Sequence, residues 1–473
     1  VGYGAYTLKM DFSGLKLTIS NKMKIPGILE LNSRTKYGMT SRNTPLYLFR
    51  PLDTSAGLYI VGSTHKDTSS NVLAMVDVDS LPPPKKLTRA NLVSIIGKCG
   101  DMFAEKEALL NQYYSTPWKK FDITTPSDDI PLLKGLTFNV DPIGCRDIDD
   151  VFTIGDDGFF YITIADVGAW FVANPQHPFI KTASQIGQTI YDDGKAVGPL
   201  LPIESECSLL PGVKRLGVSL KFKWTGTQIE DISFQRTTII NNLTFTYESI
   251  YKTEYSKILD TIGSYLAKRR IIDSHEWIEQ LMLFYNCEAA KVLAQKRNGL
   301  MRIHGEPDHD KLELYKTILG SEARFLAYKS AEYVWAVDQC DKRHWGLNAD
   351  NYCHATSPIR RYADILNQLI LTDRWNSDWI VSSDQLNNLS KRAKKYHRDA
   401  FFLQSLFSND SKSVDGIVVN DHRIWVPDWK RMVTCKNVYT PGTSGVLKYS
   451  LDLNQTTWKR RMVFRFEDTG YLG

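Results

Sequence analysis

Between Asp141 and Asp150 the chain reads DPIGCRDIDD, which places four carboxylates, Asp141, Asp147, Asp149 and Asp150, within ten residues. Like charges so crowded raise one another's pKa unless a cation sits among them, and hard divalent cations take oxygen ligands. Magnesium is the ion such a set suggests. The preceding run, Leu136 to Val140, alternates and favours a strand, and Pro142 and Gly144 supply a bend. Asp147 and Asp149 then flank Ile148, so both carboxylates leave one side of an extended segment. The bend is expected to bring Asp141 back toward Asp147 and Asp149. Taken alone, an acidic decapeptide also fits a solvated loop or a calcium-binding turn.

The elements that must position these groups belong to an ordinary globular chain. Its 473 residues suffice for about two to four domains, and 42% hydrophobic with 23% charged content argues against disorder. No apolar stretch reaches the length of a membrane helix. A net charge of +5 is compatible with a polyanionic partner without requiring one. The seven cysteines are scattered, odd in number and without a CxxC pair, which argues against a disulfide framework or a zinc site and for a reducing compartment, cytosol or nucleus. No basic segment followed by an apolar run opens the chain, so a secretory leader is not expected.

From about Gly27 to Val78, short β-favouring runs broken by Gly, Ser, Asp and Asn predict a small β-barrel. Pro82, Pro83 and Pro84 interrupt the strand pattern, a helix is expected near Met102 to Tyr114, and a polar linker spans Thr124 to Asp129. From Leu132 to Asn376 strands come first, including Phe159 to Ala165 and Val218 to Phe222, and helices follow around Ile278 to Arg297 and Asp310 to Lys329. That segregation predicts an α+β domain. Short strands return at Gly416 to Val419, Arg423 to Val426 and Met462 to Phe466 and predict a second small barrel. The expected partition is 1–40 as a partial β segment, 41–125 as an OB-fold, cold-shock-like domain, 126–400 as the catalytic domain and 401–473 as a C-terminal barrel.

The acidic motif resembles the metal motif of the RNase II/RNase R (RNB) exoribonucleases, and a second block, TSPIRRYAD from Thr356 to Asp364, makes the likeness specific. Between the two, in the family's order, lie Ile164 to Val167, Thr189 to Tyr191, Leu200 to Pro202, Cys207 to Leu209, Arg215, Thr246 to Glu248, Asn286 and His304 to Pro307. The flanks are similar to the eukaryotic, exosome-type branch through Gly97 to Asp101 and Pro117 to Lys119. The resemblance implies an RNB domain between a cold-shock-like barrel and a terminal RNA-binding OB fold. The N-terminal region is short for two complete cold-shock barrels.

The resemblance further implies magnesium-dependent, 3′→5′ hydrolysis of single-stranded RNA to nucleoside 5′-monophosphates, with manganese as a substitute ion. It assigns Asp141, Asp147, Asp149 and Asp150 to the metal, Asp149 and Arg360 to catalysis, and Tyr191, Tyr247, Arg360 and Arg361 to RNA. One tyrosine would contact the sugar or phosphate and the other would stack on the terminal base. Ser357 is expected to cap a helix beginning at Pro358, which puts Arg360 and Arg361 in a first turn where free N–H groups favour an anion. The competing expectation is that Arg360 simply pairs with Asp364, four residues on. Asp166, Arg215, Glu279 and Asn286 read as site residues or as structural supports, and His304 and His344 are given no catalytic role.

Basic residues interleave with aromatics at Lys391 to Arg398, Trp425 to Arg431 and Trp458 to Arg461, each a candidate RNA path or a solvated face. The main alternative function is an RNB-fold RNA-binding or scaffold protein without hydrolysis. A calcium module lacks a suitably placed Glu, and a DNA nuclease would lack only a 2′-hydroxyl contact. An exosome-like RNA-decay complex is the suggested assembly, and no membrane association is expected.

Overall fold

The computed structural model describes residues 7–8, 19–20, 23–79, 87–114, 118, 122–127, 129–320, 325–409, 411–453, 455 and 458–468. Pro82, Pro83 and Pro84, Pro117 and Lys119 lie outside them. Among them no helix is long and apolar enough to cross a membrane, and all seven cysteines are free.

The first unit is a closed barrel in which Met23–Leu29, Leu46–Pro51, Tyr59–Gly62, Thr88–Lys98 and Val72–Val78 neighbour one another in that circular order. Closure comes from the parallel pairing of Tyr59, Ile60 and Val61 with Thr88, Arg89 and Ala90. Leu29, Phe49, Tyr59, Val61 and Val76 fill the interior. The strand Met23–Leu29 pairs with both Leu46–Pro51 and Val72–Val78, which corrects the expected boundary at 41: residues 23–29 are an integral barrel strand. Gly27 is needed there, because a Cβ would run into the carbonyl oxygen of Arg50.

A helix, Met102–Tyr113, follows, capped by Asp101, whose side chain accepts the N–H of Ala104 at 2.9 Å. Its Glu105 is buried and accepts from Arg461 Nη1 at 2.8 Å, although Arg461 lies 356 residues away beside the last strand. Burying two charges costs several kcal/mol unless they pair well. This contact thus ties the first barrel's helix to the C-terminal unit.

The central domain is α+β. Its six-stranded sheet runs in the order Ile229–Ile240, Lys214–Trp224, Phe160–Ala165, Asp150–Gly155, Gly135–Val140, Leu243–Phe245, antiparallel except for the last pair. One face presents Phe138, Phe152, Phe160, Ile162, Val218 and Leu220, which alternate along their strands and pack against the helices Ser256–Ala267 and Ser274–Gln295. On the other face, hydroxyls satisfy one another across the strands, with Thr163, Ser219 and Thr237 linked at 2.6 Å each.

The helix Tyr362–Leu371 is buried at every position. Polar side chains fix its place. Asn367 accepts the N–H of Leu300 (2.7 Å) and donates to the carbonyls of Leu300 and His354 (2.9 Å each). Gln368 accepts from Gly168 N–H (2.9 Å) and donates to the carbonyl of Ala165 (2.7 Å). This clamp sets the segment 357–361 against the strand ends that carry the acidic loop.

The long helix Ser383–Phe407 leaves the central domain, and its Phe402 and Leu406 enter the core of the last unit, so the expected break at 400/401 falls inside a helix. That unit is a five-stranded antiparallel sheet, Arg431–Thr434, Arg423–Val426, Ser413–Asn420, Ser444–Leu451, Met462–Asp468, around Val418, Ile424, Trp429, Leu447 and Phe466.

Replacing Asn367 with Ala strands the N–H and carbonyl of Leu300 in the core. Each buried group left without a partner costs about 1–3 kcal/mol, so Asn367→Ala is expected to lower the denaturant midpoint of the central domain by an amount equivalent to about 2–4 kcal/mol. Urea titration followed by tryptophan fluorescence checks this.

Candidate active site

The two motif blocks meet through one carboxylate. Asp149 is 7% exposed. Its Oδ1 accepts the backbone N–H of Ile359 at 3.0 Å across 210 residues of chain, and its Oδ2 lies 3.7 Å from Arg360 Nε. The carbonyl of Asp149 accepts from Ala165 N–H at 2.9 Å, which anchors the loop to the sheet. Ile148, between Asp147 and Asp149, points into the core, and its N–H donates to Ser208 Oγ at 2.9 Å. The alternation expected from the sequence is thus realised by a buried apolar pin.

Residues 358–360 form a turn and not the start of a helix; the helix begins at Tyr362. Arg361 is extended (φ −136°, ψ 124°) because it bridges to Gln188. On either side Thr189 N–H donates to the Arg360 carbonyl and Tyr362 N–H to the Gly187 carbonyl, both at 2.9 Å. The expected Ser357 cap is therefore corrected, and the arginines do not occupy a helix's first turn. Ser357 Oγ instead accepts from Arg360 Nη2 at 3.0 Å.

The extended backbone at 361 also separates the two arginines. Arg360 keeps a side chain 46% exposed, whereas Arg361 is 19% exposed and donates to buried Asp364 at 2.8 Å. The helix pair expected for Arg360 belongs to Arg361. Its guanidinium is committed to that pair, which argues against the expected role of Arg361 in holding RNA.

The bridge between Gln188 and Arg361 precedes Tyr191, whose hydroxyl donates to Asp147 Oδ2 of the acidic loop. Burial, then that bond and charge, push the Tyr191 hydroxyl far up in pKa. Asp141 is held by Asn139 Nδ2, which donates to it at 2.8 Å, and by its own N–H on the Phe245 carbonyl at 3.0 Å. Tyr247 follows the short strand Leu243–Phe245. Burial, then the negative charges of Asp141 and Asp150, push its hydroxyl up to about 12.

The electrostatics are those of a carboxylate nest short of cations. Burial pushes Asp149 up to about 7 against the opposing pull of Arg360 and the Ile359 N–H. Asp150 is raised well above the aspartate range by burial and then by Asp141 and Asp149. Asp141 is raised first by burial, with Asp147 adding to it and Asn139 opposing. Asp150 thus feels both Asp141 and Asp149, while the Asp149 carboxylate contacts the Ile359 N–H and Arg360.

Among the described residues, no three His, Cys, Asp or Glu side chains converge on one point as metal ligands. The donor chemistry nonetheless fits a hard divalent ion: the groups are carboxylate oxygens, buried at Asp149 and half-buried at the other three, mutually repelling and underneutralised.

Two neighbours escaped the sequence reading. Glu204 accepts from Thr189 Oγ1 at 3.1 Å and is pushed up to about 7 by burial, with Asp147's charge adding to it. His275 stacks face to face on Tyr247. Neither stands in a local pattern that signals a site. Asp166 is a support, accepting from Arg236 Nε (3.1 Å) and Arg374 Nη2 (2.7 Å). Arg215 donates to the Ser208 carbonyl (2.9 Å), and Asn286 accepts from Ala355 N–H (2.8 Å) just before the second block. Glu279 is exposed. Of the interleaved aromatics, Tyr396, Trp425 and Trp429 are buried in cores, so those stretches expose basic residues without those rings.

A central α+β domain with OB-type flanks, and an acidic loop joined to an arginine turn, define the RNB class of fold. Residues 130–258 and 252–375 match the RNB domain, together just over half of the chain, and the chain belongs to the RNB family. It is 25% identical over 475 residues to the probable exosome complex exonuclease RRP44 of Caenorhabditis elegans, covering 78% of this chain and 49% of that one. It is 22% identical over 494 residues to ribonuclease R of Buchnera aphidicola, covering 82% and 67%. The chain thus spans about half the length of the exosome relative. In structure it resembles Mycoplasma genitalium RNase R in complex with ribose-methylated single-stranded RNA (TM-score 0.73, 18% identity, 98% and 94% of the two chains). It also resembles yeast Ssd1, a pseudonuclease (TM-score 0.64, 15% identity, 91% and 68%).

An aspartate raised by burial binds its proton more tightly folded than unfolded. Its contribution to stability is therefore lost as pH rises from about 4, the ordinary aspartate range, to about 7 for Asp149. Without metal, the melting temperature is expected to fall from pH 5 to pH 8 by more than in Asp150→Asn. A divalent cation held by these oxygens would compete with the proton, so added magnesium is expected to raise the melting temperature more at pH 8 than at pH 5. Thermal melts with and without chelator check both.

Proposed function

We propose that the protein is a divalent-metal-dependent 3′→5′ exoribonuclease that hydrolyses single-stranded RNA to nucleoside 5′-monophosphates. The observation that carries this reading is the Asp149–Ile359 hydrogen bond, which sets the half-exposed guanidinium of Arg360 against the carboxylates. Family membership and the names of the RNase R and exosome relatives support it. The name of the exosome relative supports association with an RNA-decay complex.

Asp141, Asp147, Asp149 and Asp150 would hold the ion, magnesium or manganese. When bound, it would neutralise phosphate oxygens and acidify water. The chain's own residues do the rest. Arg360, braced by Ser357, offers its guanidinium to the scissile phosphate, where charge builds up as water adds to phosphorus and the bond to the leaving 3′ oxygen breaks. Tyr191, fixed on Asp147, and Tyr247, beside Asp141 and Asp150, form the walls near the 3′ end.

A second reading, an RNA-binding scaffold that does not hydrolyse, is favoured by the likeness to a pseudonuclease and by carboxylates that do not converge as three ligands. The deciding experiment uses 5′-labelled single-stranded RNA with magnesium and with chelator, its products resolved over time. Stepwise metal-dependent shortening from the 3′ end is expected; RNA bound but intact would establish the scaffold.

Asp149→Asn keeps an acceptor for the Ile359 N–H and removes the charge. It is expected to abolish turnover while leaving RNA affinity within a few-fold, as read by fluorescence anisotropy. Arg360→Ala is expected to lower kcat by about 10²–10³-fold, the usual loss when a transition-state donor is removed, with a much smaller change in KM. Steady-state degradation assays separate the two parameters.

A further inference from the structure

The ring of His275 lies on the ring of Tyr247 with centroids 3.8 Å apart and planes 12° from parallel. Tyr247 also packs against the central core. The face on which a base would be expected to stack is therefore already covered by an imidazole. That imidazole is itself open, its side chain 63% exposed.

The arrangement is held at several points. Asp273 caps the helix Ser274–Gln295 by accepting the N–H of His275 at 3.0 Å, and the same oxygen lies 3.1 Å from His275 Nδ1. Ser274 Oγ donates to the Tyr247 carbonyl at 2.7 Å, and Ser274 N–H donates to the Tyr251 hydroxyl at 2.6 Å. The helix start is thus stitched to the Tyr247 segment from both sides. Tyr247 in turn lies within the field of Asp141 and Asp150. A flat, exposed imidazole is thus presented on a tyrosine that packs against the core and lies within the field of two of the carboxylates.

Nucleobases stack on aromatic and imidazole planes without regard to sequence. Resting on the nuclease reading above, we propose that His275 is a positioning residue: the outer face of its imidazole, backed by Tyr247, is the platform on which the 3′-terminal base of the RNA stacks. Tyr247 then acts mainly through His275. The two-layer stack sets the distance of the terminal nucleotide from Arg360 and the aspartates.

The test uses the full chain, chelator to prevent cleavage, and a single-stranded RNA ending in the fluorescent base 2-aminopurine, with a separate 5′ label to read binding by anisotropy. Wild type is expected to quench the terminal base on saturation. His275→Ala should lose at least half of that quench and bind about fivefold or more weakly, as expected for loss of one stacking contact. It should show no such weakening on the same RNA with an abasic 3′ end, and His275→Phe should restore quench and affinity. Equal quenching by wild type and His275→Ala, or equal weakening on based and abasic ends, would overturn the proposal. His275→Phe, which keeps the stack on Tyr247, decides the matter if the alanine variant misfolds, since a phenyl platform must still quench. If wild type fails to bind RNA at all, the nuclease reading falls; binding and magnesium-dependent shortening with unaltered quench removes only the platform.

Discussion

One hydrogen bond joins the halves of the site. The acceptor, Asp149, belongs to a loop between two sheet strands, and the donor, the Ile359 N–H, belongs to a turn ahead of a buried helix. Neither segment is regular, and each is fixed from behind: the loop by Ile148 in the core, the turn by the Asn367 and Gln368 clamp. A buried carboxylate without partners would simply protonate. Here the N–H and the nearby guanidinium oppose that tendency, so the contact that joins the two segments also favours the ionised carboxylate that the nuclease reading needs. Arg360 is thereby positioned without being sequestered, while its neighbour Arg361 is consumed by Asp364.

The flanking units depend on a different buried charge. Glu105 and Arg461 are both nearly inaccessible and bond at 2.8 Å, linking the helix after the first barrel to the last sheet. Glu105 also accepts from Gly100 N–H at 2.9 Å. Removing either partner of such a pair leaves a charge in a medium that solvates it poorly. The two OB-type units are therefore held in register with each other as well as with the central domain. The helix Ser383–Phe407 adds a second connection, since its apolar positions are shared between Tyr113 and the last core.

What the sequence makes legible is chemistry written in consecutive residues. The four aspartates, Arg360 and the order of the intervening blocks could be read because each motif carries its residue types within a few positions, and the segregated strands and helices announced the α+β domain. What escaped was decided by contacts distant in sequence. Residues 1–40 read as a partial β segment, yet Met23–Leu29 is a full strand of the barrel because it has neighbours on both sides. Pro358 read as the first residue of a helix, yet Gln188 holds Arg361 extended and delays the helix to Tyr362. His275 stands in no local pattern that signals a site; its stack on Tyr247 is held where Ser274 bonds back to the Tyr247 carbonyl. Glu204 lies near Asp147 through Thr189 and not through any spacing of its own.

Charge balance links metal and nucleic acid more tightly than either motif suggests. Asp141, Asp149, Asp150 and Glu204 are all pushed toward protonation, chiefly by burial and then by a neighbouring carboxylate: Asp147 at Asp141 and Glu204, Asp364 at Asp149, and Asp141 and Asp149 at Asp150. Arg360 is the cation that opposes this at Asp149 and Asp150. A phosphate brought to Arg360 adds more negative charge to the same place. Protonating the carboxylates would relieve the repulsion but would remove the oxygens that hard cations need; a divalent cation relieves it and keeps them ionised. On the nuclease reading, the scissile phosphate and the ion should therefore favour each other's binding. The aromatic grip at Tyr247 and His275 works by stacking, which does not draw on that balance, so on the same reading it can hold a terminal base whether or not the ion is in place.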